Sequence, residues 1–150
     1  FQSELKHQDQ DKYINAMNVH LESLWRTQYA LKLRGPVETL SANQEKQQEQ
    51  LQEIVRVIDA LKDPVLLIGD FNALSTQWVH RQLRETHRDA HREMGWGFGS
   101  SIPSSRYWLP LRTDHLYAEP PLYWTGPTRT IRDAKCSDHV PITGHFSLIK

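Results

Sequence analysis

The sequence predicts a single α/β domain, and three observations support this fold class. Four consecutive aliphatic residues, 65–68, follow the breaker Pro64 and indicate a buried strand, because a half-buried strand would alternate. The segment before Pro64 carries apolar residues at helical spacing, and shorter segments on both sides alternate like strands. At 150 residues the chain has the length of one domain and can bury a core.

The first elements in the chain are predicted to form a β-hairpin. Residues 1–7 and 13–23 alternate in part, and a polar run separates them. His20 ends the second strand, where a lone histidine is more often a surface residue than a catalytic one. Residues 24–33 have mixed helical character and carry Arg26, which either reaches a phosphate or lies on a solvated face.

A long amphipathic helix is predicted between residue 41 and Pro64. Residues 41–44 read Ser-Ala-Asn-Gln and fit a capping box, so we expect the helix to begin there. An apolar stripe follows at helical spacing and predicts that the helix covers a sheet, whereas its Gln-rich first half is expected to face solvent. The stripe consists of Leu51, Ile54, Val55, Ile58 and Leu61.

The central strand closes on Gly69-Asp70-Phe71-Asn72. If strand geometry persists through this motif, Asp70 and Asn72 share a face and place a carboxylate beside a carboxamide. A carboxylate can take a proton from water or hold a cation, and an amide can donate to a phosphoryl oxygen. The alternative is a strand that ends in an Asp/Asn turn.

The segment after the central strand is predicted to hold a short helix, a turn and a loop. His80, His87 and His91 lie in it without the H-E-x-x-H spacing of a zinc site, so we expect them to face solvent. The glycine-rich loop that follows, residues 95–101, carries Trp96 and Phe98. Two interpretations stay open, a phosphate cradle and a mobile loop whose aromatic rings contact substrate bases.

Two more polar groups lie at predicted strand ends in the last third of the chain. Asp114 falls in a strand over residues 110–117 that the Pro120-Pro121 pair ends, and a carboxylate among apolar neighbours needs a partner. Asp138 and His139 precede the final strand, predicted over residues 140–148.

Composition excludes some classes of function. Lys and Arg together number 18, and Asp and Glu together also number 18, so the formal net charge is zero. No global basic charge indicates nucleic-acid binding, and any polyanion must be held locally. Cys136 is the single cysteine, which excludes an intrachain disulfide and a cysteine-based zinc site. No apolar run is long enough to span a membrane, so we expect a soluble protein and favour the cytoplasm slightly.

Four stretches taken together resemble the endonuclease/exonuclease/phosphatase superfamily of DNase I-like metal-dependent phosphoesterases. They occur in the order of that superfamily, with a long helix before the Gly-Asp-Phe-Asn motif. The stretches are Asn18-Val19-His20-Leu21-Glu22-Ser23, Pro64-Val65-Leu66-Leu67-Ile68-Gly69-Asp70-Phe71-Asn72, Leu111-Arg112-Thr113-Asp114-His115-Leu116 and Ser137-Asp138-His139-Val140-Pro141-Ile142. The resemblance implies a two-sheet sandwich flanked by helices and a divalent-metal-dependent hydrolase of phosphodiester or phosphomonoester bonds, closest in type to a nuclease.

The resemblance also implies residue roles. Asp70 would orient or deprotonate the attacking water, Asn72 would hold the scissile phosphate, and His139, paired with Asp114, would stabilise the developing charge. His20 would be a second phosphate contact. Asp138 together with Asp70 would bind Mg²⁺, or Mn²⁺ in its place. Arg26 and Trp96 are candidate substrate contacts, and the expected partner is a phosphate ester, including nucleic acid.

One departure from the superfamily pattern concerns the beginning of the chain. In members of the superfamily the N-terminal strands contribute an Asn and a metal-binding Glu. Residues 1–11 of this chain offer neither in a matching context, and Glu4 lies in the wrong kind of segment. We therefore expect residues 1–150 to form a partial domain that lacks the first strands and binds Mg²⁺ weakly. Two other interpretations stay open, a non-catalytic interaction module with the same fold and an unrelated α/β binding domain.

Overall fold

The computed structural model describes residues 2–6, 13–23, 36–102, 110–133 and 137–149. Arg26 and the helical segment predicted over 24–33 lie outside the described residues. The strands are β1 (Gln2–Lys6), β2 (Tyr13–His20), β3 (Val65–Asp70), β4 (Arg88–Asp89), β5 (Asp114–Ala118), β6 (Leu122–Thr130) and β7 (Ile142–Leu148). The helices are α1 (Pro36–Asp59), α2 (Trp78–Thr86) and α3 (Ala90–Met94). None of these helices is long and apolar enough to cross a membrane.

The strands form two sheets, which confirms the predicted mixed α/β fold. One sheet has the order β1-β2-β3-β5-β4, and β6 pairs with β7 in the other. Strands β1 and β2 are antiparallel, as the predicted hairpin requires. Strand β3 runs parallel to β2 and antiparallel to β5, so it lies in the interior of its sheet.

Strand β3 is buried because both faces of its sheet are covered. Val65 and Leu67 contribute to one apolar cluster with Leu51 and Ile58 of α1. Leu66, which points the opposite way, joins a second cluster with residues of β6. The run of aliphatics in the sequence therefore reflects a strand with no solvent-facing side, as predicted.

Helix α1 begins at Pro36, so the capping box predicted at residues 41–44 is wrong. A proline is tolerated in the first turn of a helix because its missing N–H would have no intrahelical partner there. The expectation that the Gln-rich half faces solvent also fails at Gln47, whose side chain is buried. Its Nε2 donates to the Glu22 carbonyl at 2.7 Å and to the Asn72 carbonyl at 3.3 Å, and thus connects the helix to two loops.

Two of the three histidines expected at the surface are buried, so that prediction is wrong for His80 and His87. His80 lies on the inner face of α2, where its Nε2–H donates to the Ala73 carbonyl at 2.9 Å. The Tyr117 hydroxyl donates to His80 Nδ1 at 2.7 Å, so the neutral imidazole satisfies both ring nitrogens. Irregular apolar spacing in α2 concealed this inward position from sequence reasoning.

The buried histidines predict that the protein loses stability as the pH falls. Burial lowers the pKa of His80 to about 4 and lowers the pKa of His87 and His115 as well. In the unfolded chain these histidines have their ordinary pKa of 6.5. The contribution of the neutral imidazoles to the free energy of unfolding is therefore complete above pH 6.5 and decreases below it. We expect the free energy of unfolding in urea to be about 1 kcal/mol lower, or more, at pH 5.5 than at pH 7.

The variant His80→Gln should reduce this pH dependence, whereas His145→Gln, at an exposed position of β7, should leave it unchanged. Equal pH dependence of unfolding in H80Q and the wild type would contradict the assignment of the buried neutral imidazole.

Candidate active site

The register of three neighbouring strands places three polar residues side by side. His20 at the end of β2 pairs with Asp70 at the end of β3, and Asp70 pairs with Asp114 at the start of β5. The imidazole Nε2 of His20 lies 4.0 Å from Asp70 Oδ2. Residues separated by almost a hundred positions in the chain thus form one row at a single edge of the sheet.

Gly69 is required for the close approach of β2 and β3 next to this row. A side chain at this position would collide with the Val19 carbonyl and with the Asn18 side chain, and the φ angle of Gly69 is 136°. L-amino acids with a Cβ rarely adopt that backbone conformation. The glycine of the Gly-Asp-Phe-Asn motif is therefore structural, and it fixes the strand spacing one residue before Asp70.

Strand β3 ends at Asp70, so strand geometry does not continue to Asn72, and the alternative of an Asp/Asn turn is confirmed. Asn72 has a φ of 47°, in the left-handed region where asparagine is tolerated. Its backbone N–H donates to Asp70 Oδ1 at 2.8 Å, and its Nδ2 donates to the Leu21 carbonyl at 2.8 Å. The turn brings the carboxylate and the carboxamide together, because the Asp70 side chain caps the turn that carries Asn72.

Phe71 holds this turn against the core. Its side chain is fully buried and packs edge-on against the rings of His115 and Tyr117. The Phe71 N–H donates to the Thr113 carbonyl at 2.9 Å, which joins the turn to the residue before Asp114.

His139 reaches the same edge from the segment that precedes β7. Its Nδ1 lies 2.7 Å from Asp114 Oδ2, so the imidazole donates to this carboxylate. The same nitrogen lies 4.0 Å from Asp70 Oδ2. The side chains of Asp70, Asp114 and His139 are partly buried at this edge, and His20 is the most exposed member of the group.

Sequence reasoning missed Ser101, which organises the backbone around the site. Its buried Oγ accepts from the N–H groups of both Thr113 and Asp114, each at 3.1 Å. Its carbonyl accepts from the Val140 N–H at 2.8 Å, next to His139. No sequence signal assigned a role to this serine, which is the last residue of the glycine-rich loop and lies outside the four motif stretches.

The local environment favours the neutral form of Asp70 more than water would. Burial raises the pKa of the Asp70 carboxyl, and the negative charge of Asp114 raises it further. The hydrogen bond from the Asn72 N–H, and after it the charges of His139 and His20, lower the pKa of Asp70 and offset part of that rise. The result is a carboxylate that holds a proton more readily than an exposed aspartate.

A divalent cation suits the donor atoms of this cluster. Asp70, Asp114 and His139 each present one ligand atom, and these atoms all lie within 4.8 Å of one another. His139 Nδ1 is already bonded to Asp114, which leaves carboxylate oxygens as the main donors, the ligands that Mg²⁺ and Mn²⁺ prefer. Two neighbouring carboxylates repel each other, so a cation between them would relieve a charge that burial makes costly.

Two other predicted site residues, Asp138 and Trp96, lie outside the cluster of Asp70, Asp114 and His139. Asp138 is exposed and directly precedes His139; the three-residue cluster of ligand atoms does not include it. Trp96 lies on the glycine-rich loop with its indole almost wholly in solvent.

Residues 8–139 match the Endonuclease/Exonuclease/phosphatase family, whose members are metal-dependent phosphoesterases, among them nucleases and phosphatases. The match extends over most of the chain. The protein belongs to this family, as the four motif stretches predicted. No curated protein matches the sequence significantly.

Solved structures share the fold. An endonuclease/exonuclease/phosphatase from Bacteroides vulgatus superposes with a TM-score of 0.69 at 14% identity, covering 99% of this chain and 54% of that one. An endonuclease/exonuclease/phosphatase from Beutenbergia cavernae superposes with a TM-score of 0.69 at 18% identity, covering 98% of this chain and 38% of that one. A 3′ phosphatase from Neisseria, solved with product DNA hairpin, gives 0.60 at 19% identity, covering 89% and 61%. The chain thus spans about half the length of several structures that it matches.

The position of Ser101 predicts a stability defect in the variant Ser101→Ala. Removal of the hydroxyl leaves the Thr113 and Asp114 N–H groups without their acceptor, which should lower the free energy of unfolding by about 1–3 kcal/mol. Ser75→Ala is the matched control, since no hydrogen bond of its hydroxyl is found within the described part of the chain. Urea unfolding that shows S101A as stable as S75A would contradict the role of Ser101.

Proposed function

We propose that this protein is a divalent-metal-dependent hydrolase of phosphoric esters that acts like a nuclease on phosphodiester bonds. One observation carries the proposal: the carboxylate of Asp70 and the imidazole of His139 lie 4.0 Å apart at one strand edge. Membership of a family of phosphoesterases supports the same reaction class. In this proposal the substrate phosphorus lies in front of both groups and faces Asp70 Oδ2 and His139 Nε2.

Asp70 is proposed to take the proton from the attacking water. A general base works best when its pKa approaches the operating pH, and burial shifts the pKa of Asp70 in that direction. The Asn72 N–H fixes Oδ1, so Oδ2 is the oxygen proposed to face the water. In this proposal the hydrogen bond in the turn leaves Oδ2 as the reacting oxygen of the carboxylate.

His139, Asn72 and His20 are proposed to bind the phosphate oxygens as charge develops on them. Asp114 holds His139 through Nδ1, which fixes the ring orientation and directs Nε2 to the substrate. Asn72 uses one amide hydrogen for the Leu21 carbonyl and retains a second one for a phosphoryl oxygen. His20 is exposed enough to approach the other side of the phosphate.

Mg²⁺, or Mn²⁺ in its place, is proposed as the cofactor. Asp70 and Asp138 are the ligands expected from the sequence, and Asp114 adds a carboxylate from the cluster. The bound cation would supply electrostatic stabilisation of the phosphate oxygens. The described residues would hold the phosphate and move the proton. Arg26 and Trp96 remain proposed substrate contacts.

The proposal predicts metal-dependent hydrolysis of bis-p-nitrophenyl phosphate that depends on Asp70. The variant Asp70→Asn keeps the shape and the acceptor for the Asn72 N–H but cannot take a proton, so kcat should fall about 10²- to 10⁴-fold. His139→Gln should cause a loss of similar size because it removes charge stabilisation. The measurement is release of p-nitrophenolate with Mg²⁺ or Mn²⁺.

Asp59→Asn, at an exposed position near the end of α1, is the matched control and should retain wild-type turnover. A wild-type protein without metal-dependent turnover would contradict the proposed activity of this chain and favour the non-catalytic module. Turnover that persists in D70N would contradict the role of Asp70.

The proposed cofactor predicts that divalent metal stabilises the fold. Binding to the native state alone should add about 1.4 kcal/mol at ten times the dissociation constant and raise the melting temperature by a few degrees. The variant Asp70→Asn should lose this increase, and the variant Asp59→Asn should keep it. An equal increase in D70N and D59N would show that the metal binds elsewhere. EDTA should abolish hydrolysis, and added Mn²⁺ or Mg²⁺ should restore it.

A further inference from the structure

A cavity of about 430 Å³ opens beside Asp114, between the glycine-rich loop and the second sheet. Its size lies within the range of about 300–1,000 Å³ that is usual for small-molecule sites. The lining includes Trp96, Phe98, Asp114, Arg129, Arg132 and Ile142. Because Asp114 belongs both to this wall and to the His139 pair, the cavity adjoins the proposed position of the scissile phosphate.

The glycine-rich loop is fixed to the rest of the protein at several points. His91 Nε2 donates to the Gly97 carbonyl at 3.0 Å, and Gly95 forms a bridge to Thr128 of β6. A side chain at Gly99, whose φ is 57°, would collide with the His91 ring. Contact with His91 accounts for Gly95 and Gly99, and Gly97 has a φ of 68°, a conformation that favours glycine.

The same alternation projects two aromatic rings outward. Trp96 is 96% exposed and Phe98 is 79% exposed. Two large apolar rings exposed on one short loop provide an apolar surface that a ligand can cover. A planar ring that stacks on them would cover the apolar area and leave the loop as it is.

Positive charge lines the same cavity. The guanidinium groups of Arg129 and Arg132 have no ion pair within the described ranges, whereas Arg112 in the same wall binds buried Asp89 at 3.4 Å. The whole chain has no net charge, so these two arginines form a local positive region. Free arginines next to exposed aromatic rings combine the chemistry that binds bases and phosphates in single strands.

We propose that this cavity binds a nucleobase next to the scissile phosphate, and that the substrate is single-stranded nucleic acid. Trp96 and Phe98 stack on the base, and Arg129 and Arg132 hold an adjoining phosphate of the same strand. This inference rests on the proposed function, because the Asp70–His139 pair defines the scissile position. Inositol phosphates and phospholipid headgroups offer phosphate without a planar ring, and bases inside a duplex are not free to stack on the loop.

The test is binding of a fluorescein-labelled eight-nucleotide oligothymidylate in EDTA, followed by fluorescence anisotropy. An oligomer of equal length and charge that lacks bases serves as the comparison, together with the duplex and with inositol hexakisphosphate as competitor. We expect the base-containing single strand to bind about tenfold more tightly than the abasic one. Trp96→Ala should remove most of that difference and leave abasic binding unchanged.

The arginines are tested through the salt dependence of binding. Because both arginines hold the same phosphate, the double variant Arg129→Gln/Arg132→Gln should reduce the slope of log K against log salt by about 0.7, the value for one phosphate contact in a single strand. Arg81→Gln, exposed on α2, is the matched control and should leave the slope unchanged.

Equal affinity for the base-containing and abasic strands would overturn the inference, as would tighter binding of the duplex or of inositol hexakisphosphate. Hydrolysis of bis-p-nitrophenyl phosphate needs no base, so it distinguishes the two proposals. Turnover without base-dependent binding refutes the cavity assignment alone, and base-dependent binding without turnover refutes the proposed hydrolase alone.

Discussion

The candidate site depends above all on the alignment of three strands at their ends. Strand β3 is paired on both sides, and its last residue, Asp70, faces His20 on one neighbour and Asp114 on the other. Backbone hydrogen bonds along β2, β3 and β5 therefore determine the separation of the three polar side chains. A shift of one residue in either pairing would exchange the side chains of β3 between its two covered faces and separate the row, so core packing and site geometry require the same register.

Charge within the site is balanced over short distances. Two carboxylates lie in one register row, and His139 is placed against both of them, at 2.7 Å from Asp114 and 4.0 Å from Asp70. Asp70 is partly buried, and burial is the main reason why its pKa rises. Asp70 therefore takes up a proton more easily than a surface carboxylate does, which is useful for proton transfer.

The sequence was most informative where pattern and environment agree. Residues 65–68 are aliphatic because both sides of β3 are covered, and the antiparallel pairing of β1 and β2 follows from partial alternation on both sides of a polar run. Sequence reasoning failed where a tertiary contact decides the outcome. His80 looks like a polar surface residue until Tyr117 and Ala73 supply its hydrogen bonds, and Gln47 looks solvated until two loop carbonyls meet it.

In the candidate site, too, some features could be predicted from the sequence and others depend on tertiary contacts. The positions of Asp70, Asp114 and His139 at element ends could be predicted from motifs, whereas the turn that brings Asn72 to Asp70 depends on a left-handed backbone that the motif does not reveal. Sequence reasoning missed Ser101 because its role is to accept hydrogen bonds from two backbone N–H groups more than ten positions away. Single serines carry no periodic signal, so contacts of this kind become visible only in three dimensions.

Ser101 also connects the glycine-rich loop to the candidate site through its hydrogen bonds. It closes the segment that begins with Trp96 and Phe98, while its hydroxyl holds the Asp114 backbone and its carbonyl holds the Val140 N–H beside His139. Substitutions that shift the glycine-rich loop would therefore also shift the backbone that carries both members of the Asp114–His139 pair. The proposed base-binding cavity and the proposed reacting pair thus share one set of backbone hydrogen bonds.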